Sequence, residues 1–436
     1  MAGFLALAAP AGARTVRAGP SNYQAAVAGL AAGDVLELAA GEYARGLDVV
    51  GLVGSPEGWI VIRGPATGKR AVFLGDPGQN RNTVEIEGSS YVAIENLVLD
   101  GQDVANVDAI KARRGEKPTH HIRIESCTIV RHGATQQTVG ISTKCPTWGW
   151  VIRKNRISGA GTGMYLGNSD GSDPFVAGAI EGNLVEDTVG YNLQVKHQVE
   201  RPAVEGMPQG ESVTILRHNV FIKGDGESPD GDRPNVLVGT FPESGAGSRD
   251  RYEIYGNVFF HNPRESLLQA TGRVAIHDNI FVDTTESAIY LTDHNGPLRA
   301  AYVYHNTIHA ASRGVSLGSL PREECRVAGN LIFANEPIVG EPGKAAGVEG
   351  NLVDSVANAR KHVARPGTEL GRIDFHPLAG RCTGPALDLS PFRAHADFDH
   401  DFDGNPKGEA RIRGAYAGEG ASRAWKLDRA FKDEWE

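Results

Sequence analysis

The sequence predicts an all-β solenoid: a parallel β-helix of about ten coils, begun by a short capping helix and ended by an irregular closing segment. Three observations carry this reading. A short strand pattern ending at an asparagine returns along most of the chain. A second strand follows each asparagine at a nearly constant distance. The 55 glycines and 23 prolines are scattered along all 436 residues, which suits a fold made of many turns.

The repeated asparagines are Asn96, Asn155, Asn183, Asn219, Asn257, Asn279, Asn306, Asn330 and Asn351, with Ser126 in the equivalent place. Their spacings cluster in the twenties, with two near 36 to 38. Asparagine suits such a turn because it tolerates the left-handed backbone conformation and its amide can bond the same group one coil away. The Ile, Val and Phe around each turn form apolar columns, since no single coil can bury its own face.

About ten residues after each turn lies a strand in which the second residue is apolar. Period-two alternation then puts its third and fifth residues outside. The third-position column reads Lys111, Ser142, Tyr165, Gln194, Leu237, Leu268, Tyr290, Ser316. The fifth reads Arg113, Lys144, Gly167, Lys196, Gly239, Ala270, Thr292, Gly318. Basic residues crowd the first four coils, and no position in either column is acidic. Glycines flank Lys196 and leave room for a chain of sugars, for which Tyr165 offers a stacking surface. The loops between Asn183 and Asn257 are enlarged and carry His197, Arg201, His218, Lys223, Arg233 and Glu243. Such insertions on one face commonly build a binding site.

Residues 1–13 read as an apolar stretch ending in the small residues Ala11, Gly12 and Ala13, a secretory signal segment without its basic start. Export to the periplasm or beyond is the corresponding expectation. Residues 14–50 read as an N-terminal cap and first strand, with a helix over 21–30 capped by Ser21 or Asn22. The coils occupy 51–355, and 356–436 closes the fold. This layout resembles pectate-lyase-like right-handed β-helix proteins, in the capping segment and in the closing stretch from Asp397 to Tyr416. The resemblance spans nearly the whole chain and implies a right-handed coil. Asp399, Asp401, Asp403 and Gly404 match half of a calcium loop, but Ala410 stands where a bidentate Glu is required, so a capping turn is the better reading.

The formal net charge is −9, which excludes a global basic field for nucleic acid. No later segment has the apolar length of a membrane span. Cys127, Cys145, Cys325 and Cys382 fit an oxidising compartment without demanding disulfides, and their spacing matches no zinc pattern. A monomer acting on an acidic polysaccharide is expected.

Polymers of uronic acid are cleaved by β-elimination. The carboxylate is neutralised, a base removes the C5 proton, and an acid assists the leaving oxygen. Lys196, with His197 adjacent, is the expected base. Arg233, Asn192 and Gln194 are candidates for holding the carboxylate, and Tyr165 or His197 for donating the proton. Lys111, Arg113, Lys144, Arg201, His218, Tyr290 and His294 complete the expected groove. The strand from Asn192 to Lys196 is loosely similar to the chondroitinase B and alginate lyase group, in which a Lys/Arg pair works beside calcium. That resemblance implies Ca2+ as cofactor, but the group's calcium carboxylates find no residue-by-residue match. Glu181, Glu186 and Asp187 are the nearest acids, and the metal ligands stay unassigned. A glycoside hydrolase, a uronan epimerase and a non-catalytic glycan-binding solenoid remain open. Hydrolysis would need two flanking carboxylates, for which Asp170, Asp173 and Asp293 are the available acids.

Overall fold

A computed structural model describes residues 12–78, 81–340, 346–420 and 425–432. The expected signal segment lies almost wholly outside the described residues. Each coil contributes one strand to each of three parallel sheets, as in Val35–Leu38, Gly41–Tyr43 and Leu47–Val50. Sheet I runs from Thr15–Ala18 to Ala346–Glu349, sheet II from Gly41–Tyr43 to Leu352–Asp354, and sheet III from Leu47–Val50 to Glu336–Val339. The chain is therefore a right-handed parallel β-helix, the hand that parallel crossovers take.

Among the described residues sheet II holds 12 strands and sheet III holds 11, slightly more coils than predicted. The difference arises at the N-terminus. Residues 35–50, read as cap and first strand, already form a complete coil. The helix is shorter than expected, Tyr23–Ala28 after Asn22, and it buries Tyr23 and Val27 over the open end.

The interior is a set of columns in register. Ile62, Ile94, Ile124, Ile152, Ile180, Leu216 and Ile254 follow one another through sheet I, all fully buried. Each such side chain contributes roughly 1.5–3 kcal/mol on burial. In sheet II, Phe221, Phe259 and Phe281 stack at centroid distances of 5.4 and 4.5 Å.

The asparagine ladder is present, with one correction of register and conformation. Backbone N–H and Nδ2 of Asn155 both donate to Oδ1 of Asn183, each at 3.0 Å. The same pair of bonds links Asn183 to Asn219 and continues to Asn351. The left-handed residue is the one before the asparagine: Lys154, Gly182, His218, Gly256, Asp278, His305 and Gly329. Side chains that bond coil to coil must point inward, so the sharp backbone reversal falls one residue earlier. Accordingly Cys127, not Ser126, occupies the ladder position and donates its N–H to Asn155, while Asn96 and Ser126 take the left-handed place.

The closing segment does more than cap an end. Its pieces, including the antiparallel pair Val363–Arg365 and Asp374–Pro377, run back along the outer face of sheet II. That face is apolar, with Leu184, Val220, Val258 and Ile280, and Ala359, Phe375, Phe402 and Tyr416 cover it. The carboxylates of the half calcium loop serve this turn. Asp401 accepts N–H bonds from Asp403, Asn405 and Ala417, and Asp403 bonds His376 Nε2 at 3.1 Å.

Candidate functional site

The outward face of sheet III carries the residues singled out in the sequence, and its register is observed directly. Lys111 pairs with Ser142, Ser142 with Tyr165, Tyr165 with Gln194 and Gln194 with Leu237. The next member is Gln269, because Leu268 turns inward and is fully buried. The stack from Ser266 to Ala270 is thus one residue out of step with the sequence alignment, in which the consecutive Leu267 and Leu268 gave alternation nothing to distinguish.

The columns also extend two coils further toward the N-terminus, and there they are acidic. Asp48 and Glu85 precede Lys111, and Glu87 precedes Arg113. The statement that no column position is acidic does not hold, and this changes the charge of the face. Arg113 lies 2.5 Å from Glu85 and 3.8 Å from Glu87, and Lys111 lies 3.0 Å from Asp108. Two of the four basic residues are thereby neutralised.

Lys144 and Lys196 remain. They straddle Tyr165 from the coils on either side, with Lys144 Nζ 3.6 Å and Lys196 Nζ 5.7 Å from its ring centroid. Gly167 separates the two stems. A Cβ there would stand 3.0 Å from Lys196 Cβ, and its φ of +100° favours glycine. Lys144 also donates to the Gly167 carbonyl at 3.5 Å. Lys196 makes no side-chain hydrogen bond or ion pair among the described residues, so its amine is free to meet a ligand.

The groove is dry enough to matter electrostatically. Burial, then the charges of Lys111 and Lys196, brings the Lys144 ammonium down to about 8. Burial alone lowers Lys196. Burial and the Lys196 charge lower both His197 and His294, so these imidazoles sit neutral beside the amine. Burial raises the Tyr165 phenol. His197 Nδ1 is buried and has no hydrogen-bond partner among the described residues.

The other expected residues lie elsewhere or are spent on structure. Arg233 precedes the strand Val236–Val238, at the edge of sheet III opposite Lys196. It donates to the carbonyls of Asp230 and Asp232 and stands 5.8 Å from the Tyr191 ring. Asn192 is fully buried, its amide donating to Thr188 Oγ1 and the Ile222 carbonyl. Gln194 is in the column but almost wholly covered. Arg201 is buried in an ion pair with Asp250 and binds the Pro208 carbonyl at 2.7 Å. His218 belongs to the turn between sheets I and II, where burial beside Lys432 and Arg217 lowers it to about 2. Tyr290 is half-buried in the column beyond Gln269. Glu181 pairs with Arg217, while Glu186 and Asp187 both meet Arg429.

What the sequence reading missed is the acid at the N-terminal end, Asp48, Glu85 and Glu87. The alternation of Val84, Glu85, Ile86 and Glu87 was the available signal.

No family model matches the chain, and no curated protein matches it. Solved structures are similar over most of its length. One is the A-module of a mannuronan C-5 epimerase from Azotobacter vinelandii, with 13% identity and a TM-score of 0.49, over 78% of this chain and 90% of that one. A pectate lyase, Pel9A, has 11% identity and a TM-score of 0.47, over 84% and 90%. An alginate lyase from Paenibacillus sp. strain FPU-7 has 16% identity and a TM-score of 0.39, over 78% and 95%. These are likenesses of the solenoid and assign no chemistry to this chain.

Proposed function

We propose that the chain is a polysaccharide lyase that cleaves a uronic-acid-containing polymer by β-elimination on the outer face of sheet III. The observation that carries this reading is the pair of desolvated lysines astride Tyr165, one held and one free. Lys144, fixed over the ring, neutralises the substrate carboxylate and so makes the C5 proton more acidic. Lys196, with an unengaged amine and a lowered pKa, removes that proton. Lys144 is shifted further than its partner, but geometry decides the roles, because a base must reach its proton. The C5 electron pair forms the C4–C5 double bond as the C4–O bond breaks. The leaving oxygen takes a proton from the Tyr165 phenol. Nothing in the arrangement requires two flanking carboxylates, which a hydrolase would need.

The test is purified protein with alginate, pectate, glucuronan and glycosaminoglycans, with and without chelator, followed by ultraviolet absorbance of the unsaturated product. Lys196→Ala should abolish turnover while leaving the melting transition in place. Reducing ends formed without absorbance would indicate hydrolysis. Polymer retained but never shortened would indicate a binding protein. Either result, or full activity in the variant, overturns the mechanism.

A further inference from the structure

A second concave site lies away from the groove, where the closing segment crosses the turn between sheets I and II. It is a cavity of about 420 Å3, within the range of small-molecule sites. Its floor is built by the repeat itself. Gly182 and Gly256 occupy left-handed turn positions on either side of His218, and a Cβ at Gly256 would stand 2.5 Å from the His218 ring. Residues Asp397 to Gly404 of the closing segment form the opposite wall.

The wall chemistry is mixed and nearly balanced. Arg217 donates to Glu181 at 2.8 Å and reaches the Tyr255 hydroxyl at 3.5 Å. Arg153 completes the basic side. Asp278 lines the cavity from beneath, 98% buried. Its Oδ2 is engaged by Lys407 at 2.6 Å and by His277 at 2.7 Å, whereas its Oδ1 has no partner among the described residues. A buried carboxylate oxygen left unpaired costs stability unless something donates to it. Four lining carboxylates (Glu181, Asp278, Asp397, Asp401) face two arginines, and the ammonium groups of Lys407 and Lys432 stand behind the wall. The lysines balance the charge overall, but the carboxylates line the surface and the lysines stand behind it, so an anion is disfavoured. The site offers paired acceptors, guanidinium donors and the edge of a tyrosine.

We propose that this cavity binds an uncharged, hydroxyl-rich ligand, one or two neutral pyranose units, at a site separate from the groove. Vicinal hydroxyls can donate to Glu181 and Asp397 while accepting from Arg153 and Arg217. A uronate would bring its carboxylate into a cavity lined by four acids. The site's occupancy does not depend on the reaction proposed for sheet III.

Titration of the full chain by calorimetry with glucose, galactose, mannose and cellobiose tests it, with glucuronate, galacturonate and calcium chloride as comparison probes. At least one neutral sugar should bind saturably, with a Kd of about 0.1–10 mM. The double variant Glu181→Gln, Asp397→Asn should weaken it at least tenfold with an unchanged melting transition. Arg153→Gln serves if that variant fails to fold. Lys196→Ala should bind the sugar like the parent, which separates this site from the groove. The proposal falls if no neutral sugar saturates, if uronates bind as tightly, if calcium displaces the sugar, or if the variants bind unchanged.

Discussion

Lys144 Nζ stands 3.6 Å from the centroid of Tyr165, one coil away, while Lys196 reaches the same ring from the other side at 5.7 Å. An ammonium so placed gains from the ring quadrupole, by about 0.5–2 kcal/mol depending on how dry the site is. Burial and two neighbouring lysines oppose that gain and hold Lys144 at about 8. The two lysines therefore differ in what they need from pH. Lys144 must be charged to neutralise a carboxylate, and Lys196 must be neutral to accept a proton.

A pH profile follows from these signs. Lys144 sits at about 8 and Lys196 is lowered less, so activity should rise with pH up to about 8, level off while the two lysines titrate in opposition, and fall once Lys196 is fully deprotonated. Lys144→Arg keeps the charge at every accessible pH, because guanidinium does not deprotonate. In that variant kcat/KM should keep rising beyond pH 8 and show no alkaline limb. A rise that still levels off at about 8, or an alkaline limb that persists, assigns that feature to another group.

Acid should destabilise the fold through histidines buried in neutral form. His305 is 1% exposed, in a left-handed turn position, and burial with the Lys407 and Arg413 charges lowers its pKa well below 6.5. The unfolded chain binds a proton there that the folded chain refuses. The contribution is therefore complete above about pH 6.5 and declines as pH falls below it, by about 1.4 kcal/mol per pH unit. His305→Asn keeps a residue that tolerates the backbone. Urea melts between pH 6.5 and 5 should show its slope flatter by about that amount, and an unchanged slope would remove His305 from the account.

Arg201 separates a structural role from a groove role. It is buried against Asp250, and Arg201→Met leaves that carboxylate uncompensated. A loss of about 3–5 kcal/mol in chemical denaturation is expected. Activity per folded molecule should stay at the parent level, and a fall in kcat at full folding would return Arg201 to the site.

The periodic part of this molecule was legible in its sequence because a solenoid writes each packing rule many times. Inward Ile columns, the asparagine turn and the outward Lys144, Tyr165 and Lys196 were all readable from alternation. Misreadings fell where the repeat was locally degenerate. Leu267 and Leu268 carry no alternation, and the turn at Ser126 and Cys127 lacks its asparagine. Contacts made by non-repeating chain were invisible to periodicity, namely the Arg201–Asp250 pair, the loop carbonyls that hold Arg233 and the closing segment over sheet II. Asp48, Glu85 and Glu87 were missed for another reason: their coils precede the first turn asparagine.

The ladder itself yields the largest expected loss. Asn219 Oδ1 accepts two bonds from Asn183, and Asn219 Nδ2 donates to the Ile180 carbonyl at 2.8 Å and to Asn257 Oδ1 at 3.0 Å. Asn219→Ala leaves the Asn183 N–H without its acceptor and the Ile180 carbonyl without this donor in a place water does not reach, since Asn219 is 1% exposed, while Asn183 Nδ2 keeps its bond to the Ile152 carbonyl. Each buried group left unpaired costs about 1–3 kcal/mol, so a loss of about 2–6 kcal/mol is expected, less whatever a trapped water recovers. Asn351→Ala, at the half-buried last rung, should cost less. It removes the acceptor of the Asn330 N–H at the margin, while Asn330 Nδ2 keeps the Val303 carbonyl, and solvent can replace the lost partner. Urea denaturation of the two variants gives the comparison. Equal losses would mean that the rungs act independently of burial, and that stacking along the ladder adds nothing beyond local turn geometry.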